Sequence, residues 1–159
     1  TMVAEVGQAA PDFNLYDSDR QQRKLSDYKG QNVVLAFFTG AFTGTCTTEM
    51  CTFRDRLDAF NSMNAQVFGI SVDGAFAQKA WSDANNLNFP LVSDFTRQVV
   101  NQYGVALPNL AGMEGYVAAN RAVFVLDKGG FVRYKWEAPK PTVEPDYDEI
   151  RQELGKLGG

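Results

Sequence analysis

The segment Asn32–Phe38 constrains the fold more than any other feature, because it is apolar at every position after its first. A run without polar alternation is typical of a strand buried on both faces, as in parallel sheets. A loop rich in Gly and Thr follows at residues 39–45. The next apolar residues recur at the spacing of one helix face, namely Cys46, Met50, Phe53, Leu57 and Phe60. The segment therefore predicts a buried strand that leads through a loop into an amphipathic helix.

The rest of the chain repeats this order of strand and helix. Residues 65–72 and 122–126 are predicted strands, and a turn at 128–130 joins the second of them to residues 131–137 as a hairpin. Further helices are predicted at 76–87, 96–103 and 147–157, and an irregular connection at 105–120. No repeat or linker interrupts the sequence. One α/β domain over residues 1–159 is therefore expected, with helices flanking a sheet that has a parallel core.

Composition excludes several classes of function. The chain has no histidine, which excludes histidine ligands, an imidazole base and every catalytic triad that needs one. Two cysteines are too few for a four-ligand structural zinc site, unless carboxylates or a second chain complete it, and no cofactor is expected. A net charge of −4 and a pI of about 4.8 argue against nucleic acids and membrane surfaces as partners. The sequence has neither a membrane-spanning apolar run nor a secretory start, so a cytoplasmic location is expected.

Cys46 stands where function is expected in such a fold. The loop 39–45 leaves the carboxyl end of a predicted parallel strand, which is the edge where α/β sheets carry their sites. Cys46 then lies in the first turn of the helix, where unpaired N–H groups and the helix dipole favour an anion. A reactive thiolate and a small buried apolar residue are both compatible with this position.

Cys51 lies five residues further along the same predicted helix. On a regular helix the Cα atoms of Cys46 and Cys51 are ~8.6 Å apart, whereas a disulfide needs a separation below about 7 Å. Two interpretations stay open. Either Cys51 is inert packing, or the first helical turn unravels and brings Cys46 toward it, since helix ends fray at little cost.

Residues 37–55, FFTGAFTGTCTTEMCTFRD, closely resemble the active-site segment of peroxiredoxins, in which Pro-x-x-x-Thr-x-x-Cys precedes a helix. The resemblance continues in order at residues 7–13, 70–73, 88–94 and 121–127. Two cysteines with Cys-x-x-x-x-Cys spacing on one helix resemble the Q-type subgroup (bacterioferritin comigratory protein). The resemblance implies a thioredoxin-like fold, with a central mixed β-sheet flanked by helices.

The resemblance also implies a role for five residues. Cys46 is the peroxidatic cysteine, and the Thr43 hydroxyl hydrogen-bonds the thiolate and the peroxide. Arg121 meets both of them, Glu49 holds Arg121 in place, and Cys51 is the resolving cysteine. Without the resemblance, Thr43 has the sequence position of a helix cap and Arg121 that of a surface charge.

The implied activity is a thiol-dependent peroxidase for hydrogen peroxide and organic hydroperoxides. Its partners are a small peroxide and a thioredoxin-like or low-molecular-weight thiol reductant. The oligomeric state stays open between a monomer and a homodimer, because the family contains both. Three alternatives stay open: a peroxidase resolved by an external thiol, a thiol–disulfide reductase, and a non-catalytic redox-sensing module. The reductase normally uses Cys-x-x-Cys, which the sequence lacks.

One position departs from the family pattern. Thr39 replaces the proline that in the family rigidifies the loop and shields the thiolate from water. A looser and wetter pocket is expected, with peroxidase activity retained but weaker. A rate with hydrogen peroxide no better than that of a free thiol would contradict this expectation.

Overall fold

The computed structural model describes residues 3–158. Its strands are β1 (Asn14–Asp17), β2 (Gln22–Lys24), β3 (Asn32–Phe37), β4 (Ala65–Ser71), β5 (Leu91–Ser93), β6 (Ala106–Leu107), β7 (Ala118–Ala119), β8 (Ala122–Leu126) and β9 (Val132–Glu137). Its α-helices are α1 (Gly44–Asp55), α2 (Leu57–Ser62), α3 (Ala75–Ala84), α4 (Gln98–Gln102) and α5 (Tyr147–Gly155). Short 3₁₀ helices occupy Leu25–Tyr28 and Leu110–Gly112.

A seven-stranded mixed sheet forms the centre, in the order β2-β1-β5-β4-β3-β8-β9. Strands β3, β4 and β5 are parallel neighbours, which confirms the predicted parallel core, and β8 runs antiparallel to β3. Strands β8 and β9 form the predicted hairpin. Because β3, β4 and β5 run the same way, the loops after their carboxyl ends meet at one edge of the sheet.

Strand β3 is buried at every position, which confirms the prediction from its apolar run. Val34 and Ala36 belong to one cluster, together with residues of α1, α2, α3 and α5. Leu35 and Phe37 belong to the other cluster, together with residues of α4 and the 3₁₀ helix after β2. The period of two along the strand thus divides its side chains between two layers of helices.

The structure differs from the sequence prediction in three places. The helix predicted through Phe60 is two helices, because Arg56 leaves helical geometry at φ −101° and ψ 4°. Strands β1 and β2 lie in a stretch without a predicted element, and they are only four and three residues long. Strands β6 and β7 pair within the connection predicted to be irregular.

Residues 3–158 lack both a membrane-spanning helix and a cluster of metal-binding side chains. No helix in this range is long and apolar enough to cross a membrane. The same range holds no cluster of three or more Cys, Asp or Glu side chains that could bind a metal ion.

Gly69 in the middle of β4 lets α1 pack closely on the sheet. A Cβ atom at this position would lie 2.6 Å from Leu91 Cδ2 and 3.2 Å from Met50 Sδ. Both neighbours are fully buried. A methyl group here therefore forces the side chains of Leu91 and Met50 to shift within a packed core.

We expect Gly69→Ala to lower the free energy of unfolding by roughly 1–3 kcal/mol, the usual cost of overpacking a core. The measurement is urea unfolding followed by circular dichroism. Gly155→Ala is the matched control, because a Cβ there meets no atom within 4 Å. Equal unfolding free energies for the two variants would contradict the close-packing argument.

Candidate active site

The active-site loop is residues 38–43, between β3 and α1. Phe42 has a left-handed backbone with φ 64°, which is uncommon for a bulky residue. Thr43 is the N-cap of α1 by backbone geometry, but its side chain makes no capping bond. Its hydroxyl instead donates to the carbonyl of Gly40 over 2.7 Å. Cys46 follows in the first turn of α1, where the sequence predicts it.

Arg121 precedes β8 and joins three parts of the chain. Its Nη2 donates to Cys46 Sγ at 2.9 Å, and its Nη1 donates to Glu49 Oε1 at 2.7 Å. Its Nε donates to the carbonyl of Pro141 at 2.9 Å. Cys46 and Glu49 are 0% exposed and Arg121 is 1% exposed. The structure therefore brings Cys46, Glu49 and Arg121 together in a dry pocket.

The charges in this pocket perturb one another. Burial alone lowers the pKa of Arg121, but Glu49 and Cys46 outweigh it and raise this pKa, so the guanidinium stays charged. Burial raises the pKa of the Glu49 carboxyl to about 7, against the lowering effect of Arg121, and Glu144 adds to the increase. Glu49 Oε2 has no hydrogen-bond partner among the described residues. The pocket thus favours the charged form of Arg121 and disfavours the charged form of Glu49.

Sequence reasoning missed the segment that closes this pocket, which comes from the C-terminal part of the chain. Pro141 supplies the carbonyl for Arg121, and the Tyr147 hydroxyl donates to Glu144 at 2.6 Å. The charge of Glu49 is among the causes that raise the pKa of Tyr147, after burial and the Glu144 hydrogen bond. A backbone acceptor distant in sequence leaves no local signal, so no motif could have pointed to Pro141.

Cys51 lies on the same helix as Cys46 but in different surroundings. It is half-buried, and its Sγ lies 3.8 Å from Asn85 Oδ1. Both cysteines are free, and α1 is intact between them. Nearer to Cys46, Trp81 Nε1 donates to the Thr47 hydroxyl at 3.1 Å. The structure therefore holds the two cysteines of α1 in the separated arrangement.

Thr39, where the family has proline, is 6% exposed. Its hydroxyl has no hydrogen-bond partner within the described part of the chain. A buried hydroxyl without a partner costs roughly 1–3 kcal/mol. Cys46 is 0% exposed although Thr39 stands in place of the proline, so the structure does not show the expected wetter pocket. A weaker activity stays a prediction.

The arrangement suits a reaction in which the sulfur attacks and negative charge develops beside it. The guanidinium presents several N–H groups in one plane and stays ionised, so it can donate to two anionic atoms at once. The unpaired N–H groups in the first turn of α1 also favour negative charge near Cys46, and this turn contains no acidic residue. Because Cys46 is 0% exposed, a reactant reaches the sulfur only when the residues around it move.

Comparison with known proteins identifies the family to which the chain is similar. A profile of the AhpC/TSA family matches residues 6–135. Peroxiredoxin-2 of Bos taurus is 40% identical over 140 residues, which cover 82% of this chain and 67% of that protein. The chain spans about two thirds of the length of the curated relatives it matches.

Solved structures share the fold over nearly the whole chain. Peroxidoxin BcpB from Mycobacterium tuberculosis has a TM-score of 0.86 at 28% identity, covering 98% of this chain and 99% of that one. PrxQ from Xylella fastidiosa has a TM-score of 0.86 at 22% identity over 98% of both chains, and it shows the fold alone. These neighbours confirm the thioredoxin-like peroxiredoxin fold, and BcpB supports the expected placement near the Q-type subgroup. By sequence and by fold, the chain belongs to the AhpC/TSA family of peroxiredoxins.

Proposed function

We propose that this protein is a thiol-dependent peroxidase that reduces hydrogen peroxide and organic hydroperoxides at Cys46. The observation that carries the proposal is the 2.9 Å contact between Arg121 Nη2 and Cys46 Sγ. It gives the sulfur a fixed cationic donor in a pocket from which water is excluded. The same guanidinium is held by Glu49, so its position is set before any substrate arrives.

In the proposed reaction the Cys46 thiolate attacks one peroxide oxygen and the O–O bond breaks. The other oxygen leaves with the bonding pair and takes up a proton, which yields water or an alcohol and leaves Cys46 as sulfenic acid. Arg121 and the first-turn N–H groups of α1 stabilise the negative charge that develops on the leaving oxygen. The Thr43 oxygen accepts a hydrogen bond from the peroxide O–H, because its own proton is directed at Gly40.

Resolution is proposed to use Cys51. Its thiolate attacks the sulfenic sulfur of Cys46, a disulfide forms, and the sulfenic oxygen leaves as water after protonation. Because Cys46 is fully buried and α1 is intact, the first turn must unwind for this step. That motion breaks the contacts of Cys46 with Arg121 and of Thr47 with Trp81.

A thioredoxin-like protein or a small thiol would reduce the disulfide by thiol exchange. The cycle needs no cofactor. A homodimer, a cytoplasmic location and a single domain over residues 1–159 remain part of the proposal on the strength of the family resemblance and the composition.

Intact-mass analysis after one equivalent of hydrogen peroxide tests both cysteine roles. We expect the wild-type protein to lose two hydrogens as the Cys46–Cys51 disulfide forms. The Cys51→Ser variant should instead gain one oxygen atom, because its sulfenic acid has no resolving thiol.

Cys46→Ser is the control and should keep its mass. An oxygen adduct in both the wild type and Cys51→Ser would favour the alternative of an external resolving thiol. An unchanged wild type that leaves the peroxide unconsumed would favour the non-catalytic alternative. Reduction of insulin disulfides without peroxide consumption would favour the reductase.

Replacement of Arg121 tests the donor role. We expect Arg121→Met to lower kcat/KM for hydrogen peroxide by roughly 10²–10³-fold, the usual effect of removing one preorganised donor. Arg121→Lys should lose less, because it keeps the charge without the planar fork. Arg133→Met, at an exposed ion pair with Asp127, is the control. A kcat/KM for Arg121→Met within threefold of wild type would refute the donor role.

The raised pKa of Glu49 predicts a pH-dependent stability. The ordinary value is 4.5 and the folded value is about 7, so between these values the folded protein holds more protons than the unfolded chain. The wild-type free energy of unfolding should therefore fall as the pH rises through this window. The Glu49→Gln variant has no carboxyl to ionise at this position. Relative to it, the wild-type free energy of unfolding should fall by about 2–3 kcal/mol between pH 5 and 8.

Urea unfolding at both pH values measures this difference. Glu5→Gln, at an exposed ion pair with Lys135, is the control for general effects of pH. A constant difference between wild type and Glu49→Gln would show that the carboxyl is ionised throughout the window.

A further inference from the structure

We propose that Asp73 is a positioning residue for the peroxidase reaction, acting on Thr43 through the peptide group between Gly40 and Ala41. This inference rests on the proposed function, in which Thr43 accepts a hydrogen bond from the peroxide. Asp73 lies two residues beyond the end of β4, at the sheet edge that also carries the active-site loop.

The carboxylate of Asp73 is held firmly in place. Its Oδ2 accepts the Ser71 hydroxyl at 2.7 Å, and the Ser71 oxygen in turn accepts Gln78 Nε2 at 2.9 Å. Ser71 and Gln78 are both fully buried. The Asp73 carbonyl also accepts the Ser93 hydroxyl at 2.5 Å. Backbone and side chain are thus both anchored to the ends of the parallel strands.

The same Oδ2 accepts the backbone N–H of Ala41 at 2.8 Å. That N–H belongs to the same planar peptide group as the carbonyl of Gly40, which accepts the Thr43 hydroxyl at 2.7 Å. Holding one end of a planar group fixes the direction of the other end. A charge-assisted bond on the N–H also polarises the carbonyl and strengthens it as an acceptor.

The direction of the Gly40 carbonyl decides where the single proton of the Thr43 hydroxyl points. A carbonyl oxygen carries no proton, so at this contact Thr43 must be the donor. Its oxygen then offers only lone pairs to a bound peroxide, whose O–H group donates to it. If this peptide group rotated, the Thr43 hydroxyl could direct its proton toward the peroxide. That proton would then meet the proton that the peroxide donates to Thr43.

The backbone of Phe42 supports this assignment. Its left-handed conformation, with φ 64°, costs free energy, and Phe42 is 64% exposed and so gains no core packing. Such a conformation persists only when neighbouring contacts hold it. The bonds of Ala41 to Asp73 and of Thr43 to Gly40 lie on either side of Phe42.

A double-mutant cycle on kcat/KM for hydrogen peroxide tests the proposal. We expect Asp73→Ala to lower kcat/KM about tenfold or more, given the usual strength of a charged hydrogen bond. Asp73→Asn, which keeps an acceptor of the same size, should lose less. In a Thr43→Val background, Asp73→Ala should change kcat/KM by less than twofold, because the group it positions is gone.

Two further measurements separate positioning from general loosening of the loop. The rate of Cys46 alkylation by iodoacetamide in Cys51→Ser protein should stay within twofold for Asp73→Ala, because alkylation does not use Thr43. Asp83→Ala, an exposed acid paired with Lys79, should match wild type in every assay.

Equal losses in the wild-type and Thr43→Val backgrounds, or alkylation that changes in parallel with peroxide reduction, would overturn the proposal. A wild-type rate for Asp73→Ala would overturn it as well. Peroxide consumption by the wild-type protein is measured first. Its absence contradicts the proposed function itself, whereas an active wild type with no coupling contradicts only the role of Asp73.

Discussion

The buried contact of Arg121 with Cys46 and Glu49 is the interaction on which the rest of the site depends. A guanidinium without water is costly unless anions and acceptors surround it, and here it has a sulfur, a carboxylate and the Pro141 carbonyl. These partners come from α1 and from the segment before α5. The guanidinium of Arg121 therefore has its partners only where the sheet, the first helix and the C-terminal segment come together.

The same pocket sets two opposing demands on α1. Peroxide reduction needs the sulfur enclosed and its donors fixed, whereas contact with Cys51 needs the first turn to open. The start of α1 suits both, because the Thr43 side chain leaves the cap unmade and no acid stabilises the first turn. The C-terminal part of α1 is bound to the C-cap of α3, since Arg54 Nη1 donates to the carbonyl of Asn85 at 2.6 Å. In the proposed resolution by Cys51, unwinding would therefore begin at the end that carries Cys46 and would break its contacts with Arg121 and Trp81.

Much of the fold could be predicted because its strongest signals are local. The apolar run of β3 predicts burial on both faces, and the spacing from Cys46 onward predicts α1, which begins two residues earlier at Gly44. The break at Arg56 could not be predicted, because Phe53, Leu57 and Phe60 keep facing the core on both sides of it. Strands β1 and β2 are too short for alternation to be recognised, and pairing with β5 decides their place.

By itself the sequence determined which cysteine begins a helix after a buried strand, and it excluded histidine chemistry, because both follow from local order and composition. Family resemblance added Arg121 and Glu49, which no local pattern distinguishes from surface charges. Only the tertiary structure decided that these two residues, 72 positions apart, meet at 2.7 Å, and that Asp73 holds Ala41. The physical reason is that such contacts depend on sheet register. Strand β3 lies between β4, which runs parallel to it, and β8, which runs antiparallel to it. This arrangement brings Asp73, after the end of β4, and Arg121, before the start of β8, to the loop after β3.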